Sequence, residues 1–325
     1  MRAVPGFGVS PVFQGNMRAV PGFAVSRFRF AGPVRKAIYC PDMRSIILSL
    51  MLCAAAQAQM KYPPEMAGAK AEAYKTIGGV KLNLYIFEPE GHKASDKSPA
   101  IVFFFGGGWK NGSPVQFEHH SRYLASRGMV AISADYRVSS RNQVKVPDCI
   151  RDAKSAIRYV RQNAARLGID PNRIAAGGGS AGGHLAAAAG VIANLDEPGE
   201  DMSVSSRPNA MVMFNPALVL REMATAEMSG VDYKMVSPIE HVAKGAPPAI
   251  VFHGKADTTV PYATAEAFTN KMISAGNRCD LVGFEGQVHG FFNYGRGGNK
   301  YYNETLHKTD EFLVAIGFLK GRPTL

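Results

Sequence analysis

From about residue 70 the chain alternates two hydrophobic rhythms. In "AYKTIGGVKLNLYIFEP" (residues 73–89) Val80, Leu82, Leu84 and Ile86 fall on every second position, which predicts two strands around a Gly78-Gly79 turn. "AIVFFF" (100–105) is an unbroken apolar run, suited to a strand buried on both faces. "MVAISADYR" (129–137), "RIAAGG" (173–178), "AMVMFNP" (210–216), "AIVFHG" (249–254) and "DLVGFEG" (280–286) read as further strands. Helical patterns separate them: residues 114–128, 147–168, 181–195, 264–276 and 303–319. The second of these places Ile150, Ala153, Ile157 and Val160 on one face and is expected to close at Gly168. The third is so rich in alanine that it can pack closely on a sheet.

Strands and helices in this alternation predict an α/β protein: a mostly parallel eight-stranded sheet with helices on both faces and an antiparallel hairpin at its edge. The period breaks over 216–247, which is methionine-rich. This stretch is expected to be an insertion over the C-terminal edge of the sheet, a lid or an ordinary long crossover.

The N-terminal part has neither rhythm. "MRAVPGF" occurs at 1–7 and again at 17–23, and residues 1–42 are read as a non-native or disordered extension. Residues 43–58 have Arg44, an apolar core and Ala56-Gln57-Ala58, the pattern of a secretory signal peptide cleaved after Ala58. Leu52 precedes Cys53 where lipoprotein processing wants a small residue, so no stable membrane anchor is expected. The predicted protein is secreted or periplasmic, a single domain over 59–325.

This organisation changes how charge and cysteine are read. The net charge of +11 suggests nucleic acid, but Arg2, Arg18, Arg27, Arg29, Arg35, Lys36 and Arg44 precede the expected cleavage point. The rest carries 30 basic and 25 acidic residues and no long basic stripe, so no nucleic-acid partner is expected. Of four cysteines, Cys149 and Cys279 remain beyond the leader; export would permit a disulfide, and two separate buried thiols is the alternative.

Candidate chemistry centres on "GGGSAGG" (177–183). Gly177, Gly179 and Gly182 fit G-x-G-x-x-G, but the nearest acids, Asp196 and Glu197, come straight out of a helix where a dinucleotide site wants them at a strand end. Gly178, Gly179, Ser180, Ala181 and Gly182 fit G-x-S-x-G, in which small neighbours let a serine stand exposed on a sharp strand-to-helix turn. A serine nucleophile needs a base and a group that orients the base. Asp257 and His289 each follow a strand, on the edge that carries Ser180. Glu285 and His307 are the rivals. An oxyanion hole needs backbone N–H donors. "FFFGGGWK" supplies Gly106, Gly107 and Gly108, of which Gly107 and Gly108 are assigned together with Ala181, the residue after the serine. Trp109 and Phe291 are candidate substrate contacts, with Phe292 beside them; the alternatives are packing for Trp109 and filling the core for the two phenylalanines. His184 is expected to be satisfied by backbone, His119 and His120 to lie on a solvated face, and Asp135 with Arg137 to form a structural polar network.

"FGGGW", "SADYR", "GIDPNRIAAGGGSAGGHLA", "HGKADTTVP" and "VHGF" resemble the α/β-hydrolase superfamily. They resemble most its esterase branch, hormone-sensitive-lipase-like and secreted acetyl xylan or feruloyl esterases, over residues 74–319. That branch commonly has histidine ahead of its glycine run, where this chain has Phe105. The resemblance implies a serine carboxylic-ester hydrolase working through an acyl-enzyme on a small-molecule or polysaccharide ester, with no metal and no organic cofactor. Short acyl chains are expected, since no long hydrophobic lid is visible. The other readings are a serine peptidase of the prolyl-oligopeptidase type, a non-catalytic binding protein on the same scaffold, and a cofactor-dependent oxidoreductase.

Overall fold

The computed structural model describes residues 62–221 and 225–325; the repeat, the expected leader, Cys40 and Cys53 lie outside the described residues. Eight strands follow the apolar runs: β1 (Lys70–Ile77), β2 (Val80–Phe87), β3 (Ser98–Phe104), β4 (Val130–Ala134), β5 (Ile169–Gly179), β6 (Ala210–Phe214), β7 (Ala249–Gly254) and β8 (Cys279–Phe284). They form one sheet in the order β1-β2-β4-β3-β5-β6-β7-β8. β1 and β2 are an antiparallel edge hairpin, β2 meets β4 antiparallel, and every later pair is parallel. The register aligns Phe104 with Gly178, Gly179 with Phe214, Phe214 with Phe252, and Gly254 with Phe284. The loops leaving β3, β5, β6, β7 and β8 therefore emerge along one edge of the sheet, the place where open parallel sheets bind ligands.

Alternation along the strands divides the core. In β3, Ala100, Val102 and Phe104 face one cluster, and Ile101 and Phe103 the other. The first cluster is covered by α2 (Val146–Gln162), α3 (Ala181–Val191) and α4 (Tyr262–Ser274), the second by α1 (Glu118–Ser126) and α5 (Lys300–Ala315). A helix that is apolar all round must be buried all round. Accordingly α3 is buried at every residue from Ala181 to Gly190, and a Cβ on Gly190 would come within 2.4 Å of the Met211 sulfur.

Helix α2 opens with Pro147 in its first turn and with the Asp148 carboxylate accepting the Lys145 amide at 3.1 Å, both favourable at a helix N-terminus. It ends at Gln162, six residues before the expected Gly168. The Asn163 side chain caps the Tyr159 carbonyl (2.9 Å), competing with another helical turn. Gly168 turns the chain into β5 instead: its φ is +63°, and a Cβ there would lie 2.3 Å from the Lys93 carbonyl oxygen.

The stretch 216–247 carries short helical turns at Ala226–Met228, Tyr233–Val236 and Pro238–His241. Leu218, Leu220, Met228 and Val236 fasten it to the first core cluster. Cys149 and Cys279 are free and separately buried: Cys149 donates to the Arg137 carbonyl (3.2 Å), and Cys279 to the Thr269 hydroxyl (3.7 Å).

One expectation fails on α1. His119 and His120 were placed together on a solvated face. Consecutive helical residues point apart, however, and only His119 faces out, stacked on Tyr294 at 3.5 Å. His120 is fully buried among Phe117, Phe214, Phe292 and Tyr302, and neither ring nitrogen has a partner among the described residues. Burial, with a smaller contribution from His119, pulls its pKa down to about 3. The ring stays neutral in the fold and protonates near 6.5 when the chain unfolds. Its contribution to stability is therefore intact above about pH 6.5 and is lost as pH falls toward about 3. His120→Phe is expected to stabilise the protein, with the advantage over wild type growing by about 2 kcal/mol from pH 7.5 to pH 5. Urea unfolding at the two pH values measures this; an advantage independent of pH contradicts it.

Candidate active site

Ser180 is the single residue between β5 and α3, with φ 53° and ψ −119°, a conformation that costs a non-glycine residue of order 1–3 kcal/mol. The glycines around it are required by close approach. A Cβ on Gly182 would lie 1.9 Å from the Phe104 carbonyl oxygen, and one on Gly178 would lie 2.5 Å from the same oxygen. The Ser180 amide is held by the Phe214 carbonyl at 2.9 Å. The hydroxyl consequently stands above the sheet edge, at the start of an eleven-residue helix whose N-terminus favours negative charge.

His289, in the loop after β8, lies with Nε2 2.9 Å from Ser180 Oγ and Nδ1 2.7 Å from Asp257 Oδ2. Asp257 is in the turn after β7. Its other oxygen, Oδ1, accepts the Thr259 and Val260 amides, both at 2.9 Å. Burial works against its ionisation. Hydrogen bonds from His253 and His289 and from the Val260 amide outweigh that and hold the carboxyl well below the usual carboxylate range. With an ionised acceptor at Nδ1, that nitrogen carries the proton, and Nε2 is left to accept from the serine hydroxyl. The rivals lie elsewhere: Glu285 is exposed and paired with Lys255, and His307 sits on α5 beside Glu311 (3.5 Å).

The glycine loop after β3 completes the arrangement. The amides of Gly107, Gly108 and Ala181 have no acceptor among the described residues, while the Gly106 amide donates to Gln116 Oε1 at 2.6 Å. Gly107 has φ +125°, and its carbonyl turns back to accept from the Lys110 and Asn111 amides (3.1 and 3.0 Å). Phe105, at the position of the missing histidine, anchors the loop from below. Its ring stacks on Tyr136 at 4.1 Å, and its carbonyl accepts the Tyr136 hydroxyl at 2.8 Å. The "ADYR" turn thus supports the loop. Asp135 takes the Tyr136 amide, and burial pushes its pKa up to about 6. Arg137 pairs with Asp152 at 2.8 Å.

A cavity of about 580 Å³ opens over these groups, bounded by the glycine loop, Ser180, His289, Ala217, Val260 and Phe292. Of the expected substrate contacts, Phe291 is not in this wall. It packs in the core against Phe284 (4.8 Å), and Phe292 takes the wall position. Trp109 borders the cavity, but it is only 1 % exposed and its indole N–H donates to His184 Nδ1 at 3.1 Å. It is a wall group and not a free stacking face. With Nδ1 accepting, His184 donates its Nε2–H to the Val236 carbonyl (2.8 Å), tying α3 to the 216–247 stretch; burial draws its pKa down to about 4. A larger groove of about 770 Å³ lies around Arg161 and Arg207 near the N-terminal ends of β6 and β7. Those guanidiniums are committed to backbone carbonyls and, for Arg161, to Asn209 Oδ1, and among the described residues no nucleophile and base meet there.

Several residues around the site escaped the sequence reading. Gln116 bridges two loops: besides holding the Gly106 amide it donates to Asn293 Oδ1 (2.8 Å), whose own amide group donates to the Gly290 carbonyl (2.9 Å). Asn215, directly after β6, accepts the Gly290 amide at 3.0 Å. The glycine loop and the histidine turn are thereby fixed relative to each other. His253 Nε2 also lies 3.4 Å from Asp257 Oδ2, while bonded to the Val260 carbonyl at 2.8 Å. Asn215 had a usable signal, a polar residue immediately after a buried strand at the edge that carries Ser180. Gln116 and Asn293 had none.

The BD-FAE family matches over residues 84–220 and 220–272, more than half of the chain. The chain belongs to the BD-FAE family. It is 55% identical to the apo form of Thermogutta terrifontis esterase 2, over 81% of this chain and 100% of that one, with a TM-score of 0.78. It is 32% identical over 219 residues to Esterase LipC of Mycobacterium tuberculosis (60% of this chain, 53% of that protein). It is 29% identical over 215 residues to isoprenylcysteine alpha-carbonyl methylesterase ICME of Arabidopsis thaliana (59% and 50%). The chain spans about half the length of these two curated relatives and all of the Thermogutta chain. This BD-FAE chain is thus an α/β-hydrolase whose relatives and structural neighbours are esterases.

Proposed function

We propose that this BD-FAE chain is a serine carboxylesterase acting through an acyl-enzyme on short-chain acyl esters, exported by the leader at 43–58. The observation that carries this reading is the unbroken hydrogen-bonded line from Ser180 Oγ through His289 to Asp257, beside three amides with no acceptor among the described residues. Ser180 attacks the ester carbonyl while His289 Nε2 takes its proton. Asp257 holds Nδ1–H in place and stabilises the imidazolium that forms. The amides of Gly107, Gly108 and Ala181 receive the developing oxyanion. His289 returns the proton to the leaving alcohol, and a water that it activates then releases the acyl group from Ser180.

The short acyl range is supported by the enclosing wall of Phe292 and Val260, and by Thermogutta terrifontis esterase 2, which has been seen with propionate and with butyrate bound. That esterase is also phosphorylated by paraoxon, which supports an activated nucleophile in this chain. The test is stoichiometric labelling. Paraoxon is expected to add one diethylphosphoryl group per chain, located by mass spectrometry on the peptide that contains Ser180. Labelling of another residue, or none while ester hydrolysis continues, removes the assignment. A panel of acetyl, butyryl, octanoyl and feruloyl esters reads the acyl preference, and a maximum at octanoyl contradicts the short range.

A further inference from the structure

Among the described residues Arg296, at the mouth, is the one Lys, Arg, Asp or Glu side chain that lines the catalytic cavity. Among the described residues no carboxylate lines it, and no acidic group is paired with Arg296. The guanidinium is nevertheless held. Nη1 donates to the His289 carbonyl oxygen at 3.3 Å and packs over Gly290, where a Cβ would lie 3.5 Å from it. The turn carrying it is fixed by the Arg296 amide on the Asn293 carbonyl (3.2 Å) and the Asn299 amide on the Arg296 carbonyl (2.8 Å). One N–H is used and the rest of the planar fork is free. A guanidinium in that state matches a carboxylate, which it can take by two parallel hydrogen bonds.

Its side of the cavity follows from the chemistry. The group that reprotonates the leaving alcohol is His289, so the alcohol half of the ester must lie toward the histidine turn, and Arg296 is fastened to that same turn. The acyl half extends on the other side of the carbonyl. Building on the esterase reading above, we infer that Arg296 is a specificity determinant for the leaving group, and that the enzyme prefers acyl esters of alcohols or phenols that carry a carboxylate.

The test compares kcat/KM for the acetyl esters of 4-hydroxybenzoate (anionic) and 4-hydroxybenzamide (neutral) at low ionic strength. The intrinsic reactivities of the two phenols differ, but that difference cancels when one protein's anionic-to-neutral ratio is divided by another's. Arg296→Gln is expected to lower this ratio about fivefold to tenfold relative to wild type, and Arg296→Glu to lower it further. Arg296→Lys retains part of the preference, a point charge replacing the fork. In 0.5 M NaCl the gap between wild type and Arg296→Gln is expected to shrink below about twofold, as screening of an exposed charge requires. An equal ratio in wild type and Arg296→Gln at low salt overturns the leaving-group assignment and leaves the esterase reading standing. Failure of wild type to hydrolyse either ester, with Ser180 unlabelled by paraoxon, overturns both.

Discussion

Replacing Ser180 by alanine is expected to lower kcat for a short-chain acyl ester by about a millionfold, with thermal stability little changed. The hydroxyl is the attacking group, and among the described residues no second nucleophile reaches the same point: within bonding distance of His289 Nε2 only Ser180 Oγ is found. The backbone at residue 180 is held by the Phe214 carbonyl and by the close approach of Gly178 and Gly182 to Phe104, so alanine inherits the same turn. The glycine-loop amides and the cavity wall remain, and so does whatever catalysis they supply without a nucleophile, typically 10³–10⁴-fold over water. KM for the same ester is expected to stay within a few fold, since the hydroxyl contributes little to holding the ground state. Steady-state kinetics with a thermal melt on the same sample checks both points. A variant that keeps one tenth of the wild-type rate would show that Ser180 is not the nucleophile, whatever its geometry.

The parts of this site that were legible in the sequence share a physical reason. Gly107, Ser180 and Asp257 each follow a buried parallel strand closely, and an apolar run marks such a strand without any knowledge of its partners; His289 follows the half-buried edge strand β8. Parallel strands in one sheet end at one edge, so strand order and chain order together bring those residues into the same region. What was not legible depends on contacts between distant loops. Gln116 and Asn293 are 177 residues apart and meet through one hydrogen bond, and nothing in either local sequence announces it. His253 looks like any polar residue in a strand until the turn after β7 folds Asp257 back against it. The errors at His120 and Phe291 have a different origin. In both cases two like residues are adjacent and meet different surroundings: His119 reaches the surface while His120 is buried, and Phe292 borders the cavity while Phe291 does not, although both phenylalanines are buried. That consecutive helical residues point apart argues against His119 and His120 sharing a metal, but it equally prevents both from lying on one solvated face; Phe291 was preferred where Phe292 borders the cavity. Trp109 was read from its place beside the glycine loop, and its indole proved committed to His184.

Asp257→Asn is expected to lower kcat by about ten thousandfold, although the substitution changes one atom. The reason lies in what surrounds each carboxylate oxygen. Oδ1 accepts two backbone amides, from Thr259 and Val260, and only an oxygen can satisfy them. An asparagine must therefore place its carbonyl there, which leaves its NH₂ at the position of Oδ2, 2.7 Å from His289 Nδ1. Two donors cannot face each other across that distance. The imidazole must lose its proton from Nδ1 and carry it on Nε2, and a protonated Nε2 cannot take the proton of Ser180. The amide also confronts His253 Nε2, a second donor 3.4 Å from the position of Oδ2. Asp257→Ala removes the acceptor without imposing a tautomer, and so it is expected to be no more damaging than asparagine despite the larger truncation. Glu285→Gln, at the rival acid, is expected to leave kcat within about twofold, because that side chain is exposed and engaged with Lys255. Measuring the three variants side by side separates a tautomer effect from a loss of charge. If asparagine retains substantially more activity than alanine, Asp257 does not act by fixing the histidine proton, and the orienting group must be sought elsewhere around the ring.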